Sequence, residues 1–157
     1  MNKIVDRKVQ VITSKYGLRK RWNKIFKKFI TEFHKGIDLR TWNLHFYTPQ
    51  NILAPEKIEI IDIWNNEKWG QGVSFKFLDN AKFGVGVYRH TKVIHGLEVG
   101  QVIEKDMVIG KSMVTKYMKL IKASHHLHFE IWTGGRTTNP VLYMDHMKII
   151  KKIKGKK

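Results

Sequence analysis

The spacing of apolar residues along the chain indicates a fold built mainly from short strands. Val9–Ile12, Ile58–Trp64 and Val73–Leu78 are rich in β-branched and aromatic residues, the composition that strands favour. Lys82–Tyr88 is another such segment, and its two glycines favour a bend or a close packing contact. The pattern therefore predicts a mainly β protein.

Two segments have the apolar spacing of helices instead. In the first, residues 20–33, lysines lie off a stripe that repeats at helical intervals and consists of Trp22, Ile25, Phe26, Phe29, Ile30 and Phe33. We interpret it as a basic amphipathic helix whose stripe packs on the sheet. The alternative is a helix that contacts a membrane surface, since basic amphipathic segments bind anionic lipid. Residues 112–122 predict a second, short helix.

The composition fits one folded domain with a strong positive charge. The 157 residues are 42% hydrophobic and include no cysteine, so a metal could be held only by histidines and carboxylates. Thirty Lys and Arg against thirteen Asp and Glu give a net charge of +17, which predicts an anionic partner. We expect a single domain over residues 1–157 with a basic C-terminal tail at 148–157.

The N-terminal segment predicts no signal peptide. Residues 1–15 alternate charged and apolar residues and contain no apolar run of the length that export signals need. No stretch approaches the roughly 20 apolar residues of a transmembrane helix. We expect a protein that is made in the cytoplasm and, if it acts outside, leaves by another route.

One histidine pair lies on a predicted strand, His126–Trp132. Alternate residues of a strand share a face, so His126, His128 and Glu130 face one way and three apolar residues face the core. The two histidines are then about 6–7 Å apart at Cα, which suits one metal ligand beside one proton-transfer group. A structural role is expected for Glu130.

A second constellation, His34-Lys35-Gly36-Ile37-Asp38, pairs a histidine with a carboxylate. Four extended residues span roughly 13 Å, too far for two ligands of one metal ion. The segment must therefore fold back, and we expect Gly36 to allow this through a positive φ.

Together the two constellations resemble the metal motifs of the lysostaphin-type zinc peptidases. Phe33–Leu39 is similar to the first motif of that family and His126–Glu130 to the second, with Tyr88-Arg89-His90 matching a Tyr-x-His element between them. Weaker similarities occur in the family's order, at Ala54-Pro55, Val99–Val102 and Asn139-Pro140. The resemblance extends from about Val11 to Tyr143.

The resemblance implies a fold and a site. It implies an antiparallel sheet that carries a metal groove, with His34, Asp38 and His128 as ligands of one Zn²⁺ per chain. Three protein ligands would leave the fourth position for water, as catalytic zinc requires. His90 and His126 would line the site as catalytic residues that accept or donate protons, and the division of roles between them stays open.

The function that the resemblance implies is hydrolysis of peptide bonds in peptidoglycan. The expected partners are peptidoglycan and anionic wall polymers, with no specific nucleic acid, and we expect a monomer. A small basic wall peptidase without a signal peptide would suit a phage lysin or a virion component. Two alternatives stay open: a catalytically silent wall-binding protein, and a basic nucleic-acid-binding protein, for which the chain has no recognisable motif.

Overall fold

Strands dominate the computed structural model, which describes residues 4–6, 10–23, 25–41, 49–121 and 125–154. The strands are β1 (Ile12–Ser14), β2 (Gly17–Asn23), β3 (Lys28–His34), β4 (Gly36–Arg40), β5 (Asn51–Leu53), β6 (Ile58–Asn66), β7 (Gly70–Phe77), β8 (Val85–Arg89), β9 (Thr91–Val93), β10 (Val102–Ile103), β11 (Val108–Ser112), β12 (His126–Thr133) and β13 (Arg136–Thr138). The helical elements are a 3₁₀ turn (Ala81–Phe83), α1 (Lys116–Leu120) and α2 (Pro140–Lys154).

The strands form one large antiparallel sheet and two smaller units. The large sheet has the order β1-β4-β12-β8-β7-β6-β10, with β13 beside β12. A three-stranded sheet, β5-β11-β9, and a separate hairpin, β2-β3, complete the β structure. The expectation of a mainly β, single-domain fold with antiparallel sheets is therefore confirmed.

Strand β12 shows why the core lies on one side of the large sheet. Leu127, Phe129 and Ile131 are buried, and Phe129 packs against Tyr88 with ring centroids 5.2 Å apart. His126 and His128 point to the other side and remain partly accessible. The alternation predicted from the sequence places the two histidines on the open face, where a site can form.

The predicted helix at residues 20–33 is wrong, because this segment is the hairpin β2-β3. The two strands pair over seven positions, including Leu18 with Phe33 and Trp22 with Phe29. The side chain of Asn23 accepts hydrogen bonds from the backbone of Ile25 and Phe26 and so stabilises the turn. The apolar spacing of the segment satisfies a helix, but its aromatic and β-branched residues also suit paired strands, and here pairing prevails.

The stripe assigned to the core is exposed. Trp22, Phe26, Phe29 and Phe33 all lie among the exposed large apolar residues. The interpretation that the stripe packs on the sheet is therefore wrong as well, and Phe29 is not a core residue.

Of the two α-helices in the described part of the chain, α1 is shorter than the predicted segment and α2 has no counterpart in the sequence prediction. The helix expected at 112–122 is the single short helix α1, whose N-cap Thr115 accepts a hydrogen bond from the backbone of Met118. Helix α2 was not predicted, and it continues through Lys154 into the basic tail. Its Tyr143 is buried against Phe77, with ring centroids 4.7 Å apart. Within the described ranges, no helix has both the length and the apolar character needed to cross a bilayer.

Candidate metal centre

Strand pairing brings two polar side chains from distant parts of the chain together. In the antiparallel ladder between β4 and β12, Asp38 lies directly opposite His128. His34, the last residue of β3, lies beside them because β3 passes into β4 through the single residue Lys35. Three side chains from two sequence segments thus meet on the open face of the sheet.

Their donor atoms form a compact triangle. His34 Nε2 lies 3.0 Å from His128 Nδ1 and 3.2 Å from Asp38 Oδ1, and His128 Nδ1 lies 2.9 Å from the same Asp38 oxygen. Tetrahedral zinc, with bonds of ~2.0–2.1 Å to nitrogen and oxygen, holds its donors about 3.3 Å apart. The two nitrogens and one carboxylate oxygen therefore fit such an ion after small adjustments. We refer to these three atoms as the donor triangle.

Hydrogen bonds at the far side of each ring determine which nitrogen is free to coordinate. His34 Nδ1 donates to the backbone carbonyl of Lys15 at 2.8 Å, which leaves Nε2 as the unprotonated atom of the neutral ring. His128 Nε2 donates to Glu130 Oε1 at 3.0 Å, which leaves Nδ1 unprotonated. The tautomer selected in each ring thus presents a lone pair to the donor triangle.

The carboxylate is held in its charged form. Burial raises the pKa of Asp38, but hydrogen bonds that His128 and His34 donate when their rings are protonated, together with the charge of His126, outweigh burial, so the pKa lies well below its ordinary value. Arg19 on the hairpin adds a cation 3.6 Å from the second oxygen of Asp38. An ionised aspartate is the form that coordinates a metal.

Gly36 acts differently from the expectation. Its φ is not in the left-handed region, so the positive-φ turn predicted for the His34–Asp38 segment is wrong. What requires glycine is close approach, because a Cβ at this position would overlap the backbone carbonyl of Phe129 on β12. The two ligand candidates converge because the chain leaves the hairpin and enters the large sheet at Lys35.

His90 and His126 lie next to the donor triangle without belonging to it. Their ring centroids are 4.8 Å apart, and His126 Nε2 lies 3.8 Å from Asp38 Oδ1. His90 has a φ of 59° and donates from Nδ1 to the carbonyl of Trp69 at 2.9 Å. Burial, together with the neighbouring charge of His126, lowers the pKa of His90 to about 4, so its ring is neutral near pH 7 with Nε2 unprotonated.

A groove opens on the donor triangle from one side. It encloses about 760 Å³ and is walled by the hairpin, through Arg19 and Arg21, and by α1, through Tyr117 and Leu120. A second cavity of about 480 Å³ lies on the other side of His128. The two share Trp69, His90 and His128, so an extended ligand could cross the site.

Several residues at the site were not identified from the sequence. Arg19 and Trp69 line the groove but have no site role in the sequence analysis, and their positions depend on which elements pack together. Glu130 was assigned a structural role, and its contacts show what that role involves. It accepts from His128, from Arg89 at 2.8 Å and from Trp132 Nε1 at 2.7 Å. Its parity with the two histidines was the signal that pointed to it.

The chain belongs to peptidase family M23, whose family model matches residues 32–140. This range contains the three donor-triangle residues and both neighbouring histidines, and the match confirms the resemblance to the lysostaphin-type peptidases. Membership supports a function of the peptidoglycan-hydrolase type. A search of curated proteins found no match.

Solved structures share the fold at low sequence identity. A chain of the SpoIIIAH–SpoIIQ complex aligns with a TM-score of 0.67 and 21% identity, covering 91% of this chain and 97% of that one. The catalytic domain of EnpA, a prophage-encoded M23 protein from Enterococcus faecalis, aligns with a TM-score of 0.61 and 21% identity, covering 85% and 91%. Lysostaphin aligns with a TM-score of 0.61 and 20% identity, covering 87% of this chain and 51% of lysostaphin.

Proposed function

We propose that this protein is a zinc-dependent endopeptidase that hydrolyses peptide bonds in the peptidoglycan of bacterial cell walls. The observation that carries the proposal is the donor triangle, in which His34, Asp38 and His128 present three suitable atoms within 3.2 Å of one another. Membership of family M23 supports it, because peptidases of that family typically use zinc.

In this proposal the three residues of the donor triangle hold the metal, one ion per chain. Bound zinc would supply Lewis acidity, which lowers the pKa of water toward roughly 7 and polarises a peptide carbonyl. Three protein ligands leave one tetrahedral position open for that chemistry.

The two neighbouring histidines would manage protons. His90 presents an unprotonated Nε2 near pH 7, because Nδ1 is engaged with the carbonyl of Trp69. That atom suits the acceptance of a proton or hydrogen bond from a group in the groove. His126 Nε2 lies 3.8 Å from Asp38 Oδ1 and lines the groove, so it would suit transfer of a proton between a water at the site and a departing amine.

The groove suits an acidic peptide. Arg19, Arg21 and Lys68 line it, together with the aromatic rings of Trp69 and Tyr117. The cations would attract carboxylates of wall peptides, and the rings would cover their apolar parts. We propose the cell wall as the place of action, with anionic wall polymers as additional partners because of the net charge of +17.

Metal content provides the first test. We expect about one zinc per purified chain, and His34→Ala, Asp38→Ala and His128→Ala should each lower zinc occupancy, since a site with three protein ligands can spare none. His95→Ala serves as a control, because His95 lies in an exposed turn away from the donor triangle. Full zinc occupancy in His128→Ala would contradict the ligand assignment.

Hydrolysis provides the second arm of the same experiment. Incubation with muropeptides of different cross-bridge types should create a new amine end, whose position identifies the scissile bond. His90→Ala and His126→Ala should retain zinc and fold, yet lose on the order of 10²–10⁴-fold in rate. Zinc binding and wall binding without hydrolysis by the wild type would instead favour a catalytically silent wall-binding protein.

A further inference from the structure

The hairpin β2-β3 has two different faces. Side chains at Arg19, Arg21 and Asn23 point to the groove. The alternate positions form what we call the outer face, which turns away from the groove because successive side chains of a strand point to opposite sides. The outer face consists of Leu18, Lys20 and Trp22 on β2 and their cross-strand partners Phe33, Thr31 and Phe29 on β3.

The outer face is strongly apolar and exposed. Leu18 is 78% accessible, Trp22 49%, Phe29 61% and Phe33 51%. At the tip of the hairpin, Phe26 is also about two-thirds accessible, whereas Ile25 lines the groove. Large contiguous apolar patches on a protein surface mark sites of interaction.

Cations are interleaved with these aromatic rings. Lys20 Nζ, on the outer face, lies 5.2 Å from the ring centroid of Phe29, and at the hairpin tip Lys28 Nζ lies 5.8 Å from that of Phe26. Residues 17–34 contain six Lys and Arg and one acidic residue, Glu32. Glu32 lies on the groove side, where it forms ion pairs with Arg19 and Arg21. The outer face therefore combines aromatic, aliphatic and positive side chains without a carboxylate.

We propose that the outer face docks onto the surface of an anionic phospholipid bilayer. Tryptophan and phenylalanine partition into the region between headgroups and acyl chains, and lysines bind the negative lipid phosphates around them. Polysaccharide and polyol-phosphate wall polymers would satisfy the lysines but offer little apolar surface for four large side chains. A second copy of the chain would bring two strongly positive surfaces together, which is unfavourable.

Docking in this orientation keeps the groove accessible. Because the groove-lining residues Arg19 and Arg21 project from the opposite side of the same strand, the donor triangle would face away from the lipid. His34, the last residue of the hairpin, belongs to the donor triangle, so the strand that carries the outer face also carries one ligand candidate. The hairpin would thus hold the site close to a membrane while leaving its mouth open to a substrate.

Vesicle sedimentation with the full chain tests the proposal and needs no enzymatic activity, so it is independent of the proposed function. The wild type should bind vesicles of phosphatidylcholine and phosphatidylglycerol and bind those of phosphatidylcholine alone much more weakly. Trp22→Ser/Phe29→Ser should lower the partition coefficient by roughly tenfold or more, as expected for two large apolar side chains. The matched control Val99→Ser/Met107→Ser removes two other exposed apolar residues and should bind like the wild type.

A charge-matched pair separates local docking from general attraction. Lys20→Gln/Lys28→Gln should weaken vesicle binding several-fold, whereas Lys76→Gln/Lys105→Gln, with the same loss of charge at exposed positions, should weaken it much less. Circular dichroism checks that each variant folds. If Trp22→Ser/Phe29→Ser does not fold, Leu18→Ser/Phe33→Ser, the other exposed apolar pair of the outer face, replaces it, with the same expected loss.

Four outcomes would overturn the proposal. The apolar hairpin variant binding vesicles like the wild type would do so, as would equal losses in the two lysine pairs. Wild-type binding to isolated walls but not to vesicles would identify wall polymer as the occupant. Self-association in sedimentation-velocity experiments that Trp22→Ser/Phe29→Ser abolishes, without vesicle binding, would make the outer face an interface between copies.

Discussion

At the residue scale, the donor triangle depends on atoms that do not belong to it. Lys15 contributes a backbone carbonyl that selects the tautomer of His34, and Glu130 contributes a carboxylate that selects the tautomer of His128. Burial raises the pKa of Glu130, but hydrogen bonds from His128, Arg89 and Trp132 outweigh burial and lower the pKa to about 2. Glu130 is therefore a charged acceptor, and it orients the ring of His128.

Removing that acceptor should weaken metal binding without removing a ligand. We expect Glu130→Ala to lower zinc affinity by roughly 10–100-fold, the usual effect of losing a hydrogen-bond partner of a ligating histidine. Glu130→Gln keeps one oxygen that can accept from His128 Nε2 and should lose less. Competition with a chromogenic chelator measures the affinities.

The exposed Glu98→Ala is the control for this measurement and should bind zinc like the wild type. The melting temperature of each metal-free variant separates a loss of affinity from a loss of fold. Unchanged zinc affinity in a folded Glu130→Ala would show that the tautomer of His128 does not depend on this carboxylate.

At the element scale, the metal centre is formed where two units of β structure meet. The hairpin ends at His34, and β4 of the large sheet begins at Gly36, so the first ligand candidate belongs to one unit and Asp38 to the other. The ladder between β4 and β12 then sets the distance from Asp38 to His128. Anything that moves β4 relative to β12 should therefore alter the site.

Gly36→Ala tests this dependence. The added Cβ would overlap the backbone carbonyl of Phe129, and backbone cannot move aside without separating the two strands. We expect a loss of about 2 kcal/mol or more in the free energy of unfolding, together with weaker zinc binding. Urea denaturation and chelator competition measure the two effects.

Gly96→Ala is the matched control, because its Cβ would meet no atom within 4 Å although its φ is +82°. It should cost only the roughly 1–2 kcal/mol of left-handed strain and leave zinc affinity unchanged. A Gly36→Ala protein with wild-type stability would mean that β4 and β12 tolerate more separation than their contacts indicate.

At the scale of the whole molecule, charge and site serve different purposes. The net charge of +17 acts over distances set by salt, about 10 Å at 0.1 M and about 3 Å at 1 M. The donor triangle acts through contacts of about 3 Å, which salt screens little. Attraction to an anionic surface and chemistry at the groove should therefore respond differently to ionic strength.

We expect binding to intact cell walls to weaken steeply as salt rises, while cleavage of a short neutral peptide changes far less. Pull-down with purified walls and a peptide cleavage assay, each over the same salt series, measure the two responses. Equal salt sensitivity in both assays would indicate that the charge contributes to catalysis rather than to targeting.

Much of the site could be inferred from the sequence because its chemistry is local. The residue types and spacing at His34, Asp38, His126 and His128 indicate candidates, and the resemblance to the lysostaphin-type peptidases adds His90 and implies which of them are ligands. Strand alternation then predicted which face of His126–Trp132 is buried, since a period of two leaves only one choice once the apolar residues are placed in the core. The mainly β class follows from runs of β-branched and aromatic residues, because strands favour these residue types.

Tertiary structure decided what local pattern could not. Residues 20–33 carry an apolar spacing that satisfies both a helix and a hairpin, and only pairing across Asn23–Lys28 selects the hairpin. Gly36 is needed for a neighbour more than 90 positions away, and Arg19 reaches Asp38 only because the hairpin folds over the sheet. Such contacts join residues distant in sequence, so the spacing of residues within one segment contains no record of them.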